Sequence, residues 1–186
     1  MHEIILVRHA KVEIDSLAIP SAEMKEFLDE YNHAPVEISK GSDTLDAFIH
    51  SADVLLTSEL IRSKESLKNL GKEADESAAV FNEAELPYAN GKRLKLSGMI
   101  WTVIFRVMWL LGYANHSESY KEAKLRAKKA TDKLIEHTQN NKKVLLVGHG
   151  IMNRLITKEL KLRGFTLAEK TGDGNLGYMV LRKERI

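Results

Sequence analysis

Three short apolar runs constrain this chain more than anything else in it. Residues 4–7 (IILV), 54–56 (VLL) and 144–147 (VLLV) are continuous, branched and free of charge, the pattern of strands buried on both faces. Two of them are followed by polar residues and then a helical pattern: ELIRSKESLKNLG after VLLTS, and IMNRLITKELKLRG after VLLVGHG. In the first helix Leu60, Ile61, Leu67 and Leu70 share a face and Gly71 supplies the C-cap; the second ends at Gly164. Strands alternating with helices imply an α/β chain, a three-layer sandwich whose mostly parallel sheet is covered by helices on both faces.

The rest of the chain fits around that core. Residues 117–140 read as a second long helix, charged on one side, with Ala123, Ala127, Ala130, Leu134 and Ile135 on the other. Residues 79–81 are expected to form a further strand, residues 177–182 (GYMVLR) a closing or edge strand, and residues 34–41 a loop. With 186 residues, one core is expected over 1–186. Residues 86–116 have a different texture, a basic loop (PYANGKRLKLSG) followed by a Trp-rich apolar helix. They read as an insertion over the strand ends, a lid.

Charge and composition exclude several classes. The 28 basic and 26 acidic residues leave +2, so no global field recruits nucleic acid or membrane, and any anion site must be built locally. With no cysteine, disulfides, thiolate chemistry and Cys-based metal sites are out. The start MHEIILVRHA runs straight into a strand and has no secretory pattern. Residues 99–112 are shorter than the ~20 needed to span a bilayer and carry Arg106 in their middle. A cytoplasmic protein is expected.

In open α/β sheets ligands bind outside the carboxyl ends of the strands. There the first run delivers Arg8 and His9, the second leads to Thr57, Ser58 and Arg62, and the third to Gly148, His149 and Gly150. Arginine matches the fork of phosphate oxygens and keeps its charge. Gly150 opens a helix whose N–H groups and dipole add attraction for an anion. Taken singly, each of these residues has a plain structural reading; together they outline a phosphate-sized anion pocket.

The ordered set LVRHA, TSELIRSKES and LLVGHG, spanning residues 4 to about 156, resembles the histidine phosphatase superfamily, phosphoglycerate mutase-like, branch 1. LVRHA is similar to the family's Arg-His-Gly signature, TSELIRSKES to its Ser-Ser-x-Leu-x-Arg-Ala-x-x-Thr helix start, and LLVGHG to its second-histidine strand. The resemblance implies a phosphoglycerate mutase-like fold and a metal-independent phosphatase without cofactor. Its substrate would be a phosphorylated small molecule or a phosphoprotein. It also implies roles: His9 as nucleophile forming a phosphohistidine, Arg8 and Arg62 on the phosphoryl oxygens, His149 stabilising the transition state. The acid that protonates the leaving group would lie in FNEAELP, with Glu83 ahead of Glu85. Phosphoglycerate mutase-type transfer and a non-catalytic phosphate-binding module are the alternatives.

The chain departs from the family pattern at Ala10, where glycine is commoner, at Lys11-Val12-Glu13, and at Asp15. In the insertion, Lys92, Arg93 and Lys95 either hold a second anionic group or keep the loop soluble. Trp101, Phe105, Met108 and Trp109 recur at helical spacing, which points to packing against the body; an open part of that face would suit an apolar ester or a partner protein. Tyr88 and Arg106 have no assigned part.

Overall fold

A computed structural model describes residues 1–91, 93–139 and 142–184. Its elements, in chain order, are β1 (His2–Arg8), β2 (Ala18–Pro20), α1 (Met24–His33), α2 (Asp43–Ser51), β3 (Val54–Thr57), α3 (Ile61–Asn69), β4 (Glu76–Ser77), β5 (Lys95–Ser97), α4 (Gly98–Leu110), α5 (Tyr120–His137), β6 (Lys143–Gly148), α6 (Gly150–Leu162), β7 (Thr166–Lys170) and β8 (Tyr178–Lys183). The three apolar runs become β1, β3 and β6, which lie side by side in the six-stranded sheet β4-β3-β6-β1-β8-β7. β4, β3, β6 and β1 are parallel, and β8 pairs antiparallel with both β1 and β7. The sheet is thus mixed, with β8 alone running against the others.

Alternation along the strands divides the core in two. Ile4, Leu6, Val144 and Leu146 face α5 and α6, packing on Ala123, Ala127, Ala130, Leu134, Ile156 and Leu160. Ile5, Val7, Leu145 and Val147 face α2 and α3, packing on Leu45, Ile49 and Leu67. This is the expected sandwich, helices on both faces of one sheet. α5 starts at a complete capping box between Ser119 and Glu122. Gly71 and Gly164 close α3 and α6 with positive φ.

Three expectations need correction. Residues 79–81 form a 3-10 turn, and the strand lies just before it, where Glu76 and Ser77 pair with Leu56 and Thr57. β8 is not an edge strand, because β7 pairs outside it. β7 (TLAEK) is exposed at every position, so it has no apolar run to betray it. Finally, α3 buries Arg62, Ser63 and Ser66 beside Leu67; its inward face is mainly polar.

The 86–116 segment does not act alone. β5 pairs with β2, and α4 packs on α1 through a separate cluster of Met24, Phe27, Trp101 and Phe105. The chain on either side of α1 therefore contributes to the same cap. Trp109 pins this cap to the body: it is fully buried in the α5–α6 core, and its Nε1–H donates to the Glu118 carbonyl at 2.7 Å. Among the described residues no helix is long and apolar enough to cross a membrane.

The buried face of α4 and its exposed C-cap should respond differently to truncation. Trp109→Ala is expected to lower the unfolding free energy by about 3–5 kcal/mol, while Leu111→Ala, at an exposed site, should change it by less than about 0.5 kcal/mol. Urea denaturation measures both, and equal losses would contradict this packing.

Candidate active site

The parallel register sets the site. Arg8 pairs with Gly148 across β1 and β6, and Thr57 with Val147 across β3 and β6, so all three strands end at one level. His9 and His149 follow at once, with ring centroids 5.2 Å apart. Gly148 is required here: a Cβ would lie 2.5 Å from Asn153 Oδ1, and Asn153 Nδ2–H donates to the Val7 carbonyl at 3.0 Å, tying α6 to β1.

Hydrogen bonds define each imidazole. His9 Nδ1 lies 2.6 Å from its neighbour's carbonyl, Ala10 O. A carbonyl only accepts, so Nδ1 carries the proton and Nε2 keeps a free lone pair. Burial, reinforced by Arg62 and Arg8, pushes His9 down to about 3 against the Ala10 bond. Ala10 lacks a positive φ, and its N–H donates to Ser66 Oγ at 2.7 Å. The small-for-small departure at Ala10 is thus accommodated.

His149 is fully buried behind His9. Its Nε2 lies 2.7 Å from Ser58 Oγ, which also accepts the Leu60 N–H. Ser58 Oγ keeps a second lone pair and its own proton, so this contact serves either neutral tautomer of His149. Burial first, then Arg62 and His9, hold His149 well below the ordinary histidine range. Both rings are therefore neutral.

The two arginines are aimed by neighbours remote in sequence. Arg62, buried on α3, donates to Asn32 Oδ1 at 2.8 Å and stacks 5.1 Å from the centre of the Tyr31 ring. Arg8 donates to the Asp173 carbonyl at 2.7 Å. Four buried side-chain polar atoms among the described residues have no partner: Arg8 Nε, Arg62 Nε, His149 Nδ1 and Asn153 Oδ1. The first three belong to this one site: two guanidinium donors and an imidazole nitrogen that donates in the Nδ1–H tautomer. Since buried polar groups are normally paired, three such nitrogens together make this the candidate place for an acceptor-rich anion.

Glu83 closes the other side. Its Oε2 accepts the Ile151 N–H at 3.1 Å and its Oε1 the Met152 N–H at 3.0 Å, so it caps α6 from outside the helix. The Gly150 N–H is left free of a side-chain cap. Gly150 also keeps the space between Arg8 and Glu83 open, since a Cβ there would sit 3.6 Å from Arg8 Nε and 3.9 Å from Glu83 Oε2. The neighbouring turn is held by Arg126, which donates to the Val80, Asn82 and Glu83 carbonyls and pairs with Glu118. Glu85 is occupied elsewhere: its Oε2 accepts the Glu118 N–H at 2.8 Å.

A cleft of about 920 Å³ opens above these groups, bordered by Arg8, His9, Arg62, Glu83 and Gly150 and, further out, by α1 and α4. Lys92 lies outside the described residues. Arg93 and Lys95 are exposed away from the cleft, so they hold no second anion there; Lys25, Arg106, Arg126 and Arg154 are the outer cations instead. Sequence reasoning named Ser58 at the end of the second strand without giving it a part, and missed Ser66, Asn32, Tyr31 and Arg126. Ser66 stands in the TSELIRSKES motif already singled out, so a closer reading of that motif marks it; nothing local marks the other three.

The family model of the histidine phosphatase superfamily (branch 1) matches residues 42–184. That stretch holds Arg62, Glu83 and His149, while Arg8 and His9 join it through the β1–β6 pairing. Among solved structures, one described as mycobacterial hydrolase 1 superposes with a TM-score of 0.61 at 14% identity, covering 97% of this chain and 88% of its own. Phosphoserine phosphatase from Entamoeba histolytica, in complex with 3-phosphoglyceric acid, gives 0.58 at 14%, covering 97% and 90%. Mycobacterial glucosyl-3-phosphoglycerate phosphatase with inorganic phosphate gives 0.53 at 14%, covering 86% and 79%. At such identities the likeness is one of fold. No curated protein sequence matches the chain.

The neutral, buried histidines predict a pH-dependent stability. Between the unfolded value near 6.5 and about 3, the unfolded chain holds a proton at His9 that the folded chain does not. Stability is therefore fully kept above that window and falls as pH drops through it, by about 1.4 kcal/mol per pH unit well below 6.5. His9→Asn removes the titrating group, so its Tm should fall less than wild type between about pH 7.5 and about pH 5 in thermal melts. Parallel curves would contradict the assignment.

Proposed function

The chain belongs to the histidine phosphatase superfamily (branch 1), and from that premise we propose that it is a phosphatase hydrolysing a phosphomonoester through a phosphohistidine at His9, without a metal. The observation that carries this reading is the trio of unpaired buried nitrogens, Arg8 Nε, Arg62 Nε and His149 Nδ1, beside a histidine whose Nε2 lone pair is free.

Phosphoryl transfer asks for positioning and for charge neutralisation on the equatorial oxygens more than for covalent activation. Arg8 and Arg62 supply fixed guanidinium forks for those oxygens, and His149 adds a third donor from the buried side. His9 Nε2 attacks phosphorus, the ester oxygen departs with the bonding electron pair, and Glu83 gives it a proton. Water then attacks the phosphohistidine, Glu83 takes the proton back, and His9 is restored as inorganic phosphate leaves. The Ala10 carbonyl matters throughout, because accepting the Nδ1–H keeps Nε2 as the nucleophile and stabilises the charge that develops on the ring.

Glu83 fits the acid's part by placement. Oε1 receives both the Ala84 and Met152 N–H groups, whereas Oε2 has one partner, Ile151, and is the oxygen nearer Gly150. Oε2 is therefore the atom we assign to proton transfer. Glu85, bonded to the Glu118 backbone, is left with a structural part.

Hydrolysis of p-nitrophenyl phosphate should persist with EDTA present and fall at least about a thousandfold in His9→Ala. Enzyme quenched with detergent at alkaline pH should carry a base-stable, acid-labile phosphoryl group on His9. Undiminished turnover in His9→Ala would end the proposal. Glu83→Gln should lose about a hundredfold or more on an alkyl phosphate, whose leaving group needs a proton, and much less on p-nitrophenyl phosphate. An equal loss on both esters would remove Glu83 as the acid.

A further inference from the structure

The cleft above the phosphoryl site is built unevenly. Met99, Val103 and Val107 stand four residues apart on α4, which places them in one stripe, and all three line the cleft while remaining 44%, 63% and 52% exposed. Leu28, Leu86 and Tyr88 add further apolar surface to its walls. An apolar stripe of this kind, framed by polar residues and opening on a candidate site, marks a surface that a ligand covers. A volume of about 920 Å³ far exceeds what a phosphoryl group fills, given roughly 30 Å³ for one water. Most of the cleft belongs to the rest of the ester.

The charges are arranged to match. Among the described residues, the cleft cations beyond Arg8 and Arg62 are already engaged. Lys25 pairs with Asp29 at 2.7 Å, Arg126 with Glu118, and Arg154 with Asp173 at 3.7 Å. Arg106 donates to the Ala84 carbonyl at 2.8 Å and the Glu85 carbonyl at 3.3 Å, lies over Trp109, and feels the Glu83 and Glu118 carboxylates. Asp29, Glu85 and Glu118 themselves line the cleft. A second anionic group on the substrate would have to displace one of these partners and would meet like charge. An apolar body meets neither obstacle.

We propose that the cleft takes the phosphomonoester of a hydrophobic alcohol, its single phosphoryl group held by Arg8 and Arg62 and its uncharged alkyl or aryl body laid along Met99, Val103 and Val107 of α4. This rests on the phosphatase reading and adds the substrate class. Esters with a second anion, such as 3-phosphoglycerate or phosphoserine, lack a free cation to receive it.

The test is calorimetric binding of n-alkylphosphonates from ethyl to octyl, which are not hydrolysed, to the intact protein. Affinity should rise at least about twofold per added methylene and exceed that for 3-phosphoglycerate and phosphoserine at the longer lengths. Val103→Asp should flatten the series. Leu111→Asp, at the exposed C-cap of α4 and away from the cleft, should leave its slope as in wild type. A flat series in wild type with ethylphosphonate still bound would overturn the substrate class and leave the phosphoryl site standing, as would tighter binding of 3-phosphoglycerate or phosphoserine than of octylphosphonate. Failure of every phosphonate to bind, short or long, would overturn both.

Discussion

The parallel pairing of β1 with β6 is the constraint on which the rest depends. Arg8 is bound to the level of Gly148 by six consecutive register pairs, so the following residues, His9 and His149, emerge together although 140 positions separate them. The runs that place them, residues 4–7 and 144–147, are apolar and fully buried, which excludes water beneath the site and denies the imidazoles any hydration of a charged form. The same burial that stabilises the sheet thus keeps His9 neutral, the form its proposed part as nucleophile requires. A site on the exposed strand β7 would have neither property.

Around that centre, each group is oriented by a second one. The inward face of α3 is polar because it serves as a frame: Ser63 Oγ bonds the Val147 carbonyl, Ser66 Oγ receives the Ala10 N–H, and Arg62 reaches Asn32 and Tyr31 on α1. Glu83 satisfies two N–H groups at the start of α6, which fixes its carboxylate next to the anion position. Arg126 from α5 and Arg106 from α4 both hold carbonyls of the 80–85 segment. The cap and the body therefore meet at the residues that flank Glu83, and movement of α4 would be felt there.

What the sequence reveals and what it conceals follow one rule. β1, β3, β6 and the C-terminal ends of α3 and α6 are legible because burial on two faces and helix caps write local patterns. α5 is legible as a helix but runs over 120–137, shorter than the 117–140 expected, of which residue 140 lies outside the described residues. The four residues Arg8, His9, Arg62 and His149 are legible because each follows such a strand in a recognisable motif. β7 is hidden by its exposure, and the 3-10 turn at Ala79–Phe81 imitates a strand because Phe81 is buried from a turn. Asn32, Tyr31 and Arg126 are hidden for a different reason: each acts on the site through tertiary contacts that no spacing encodes. The apolar α4 was readable as amphipathic packing, but its second apolar face, Met99, Val103 and Val107, becomes meaningful only once Trp101, Phe105 and Trp109 are seen to fill the inward one.

The most direct measurement is a crystal structure with orthovanadate bound. The account predicts vanadium bonded to His9 Nε2, equatorial oxygens held by Arg8, Arg62 and His149 Nδ1, and Glu83 Oε2 beside the apical oxygen opposite His9. Vanadate seated away from His9, or held with His9 Nδ1 facing the metal and Nε2 turned to the backbone, would contradict it.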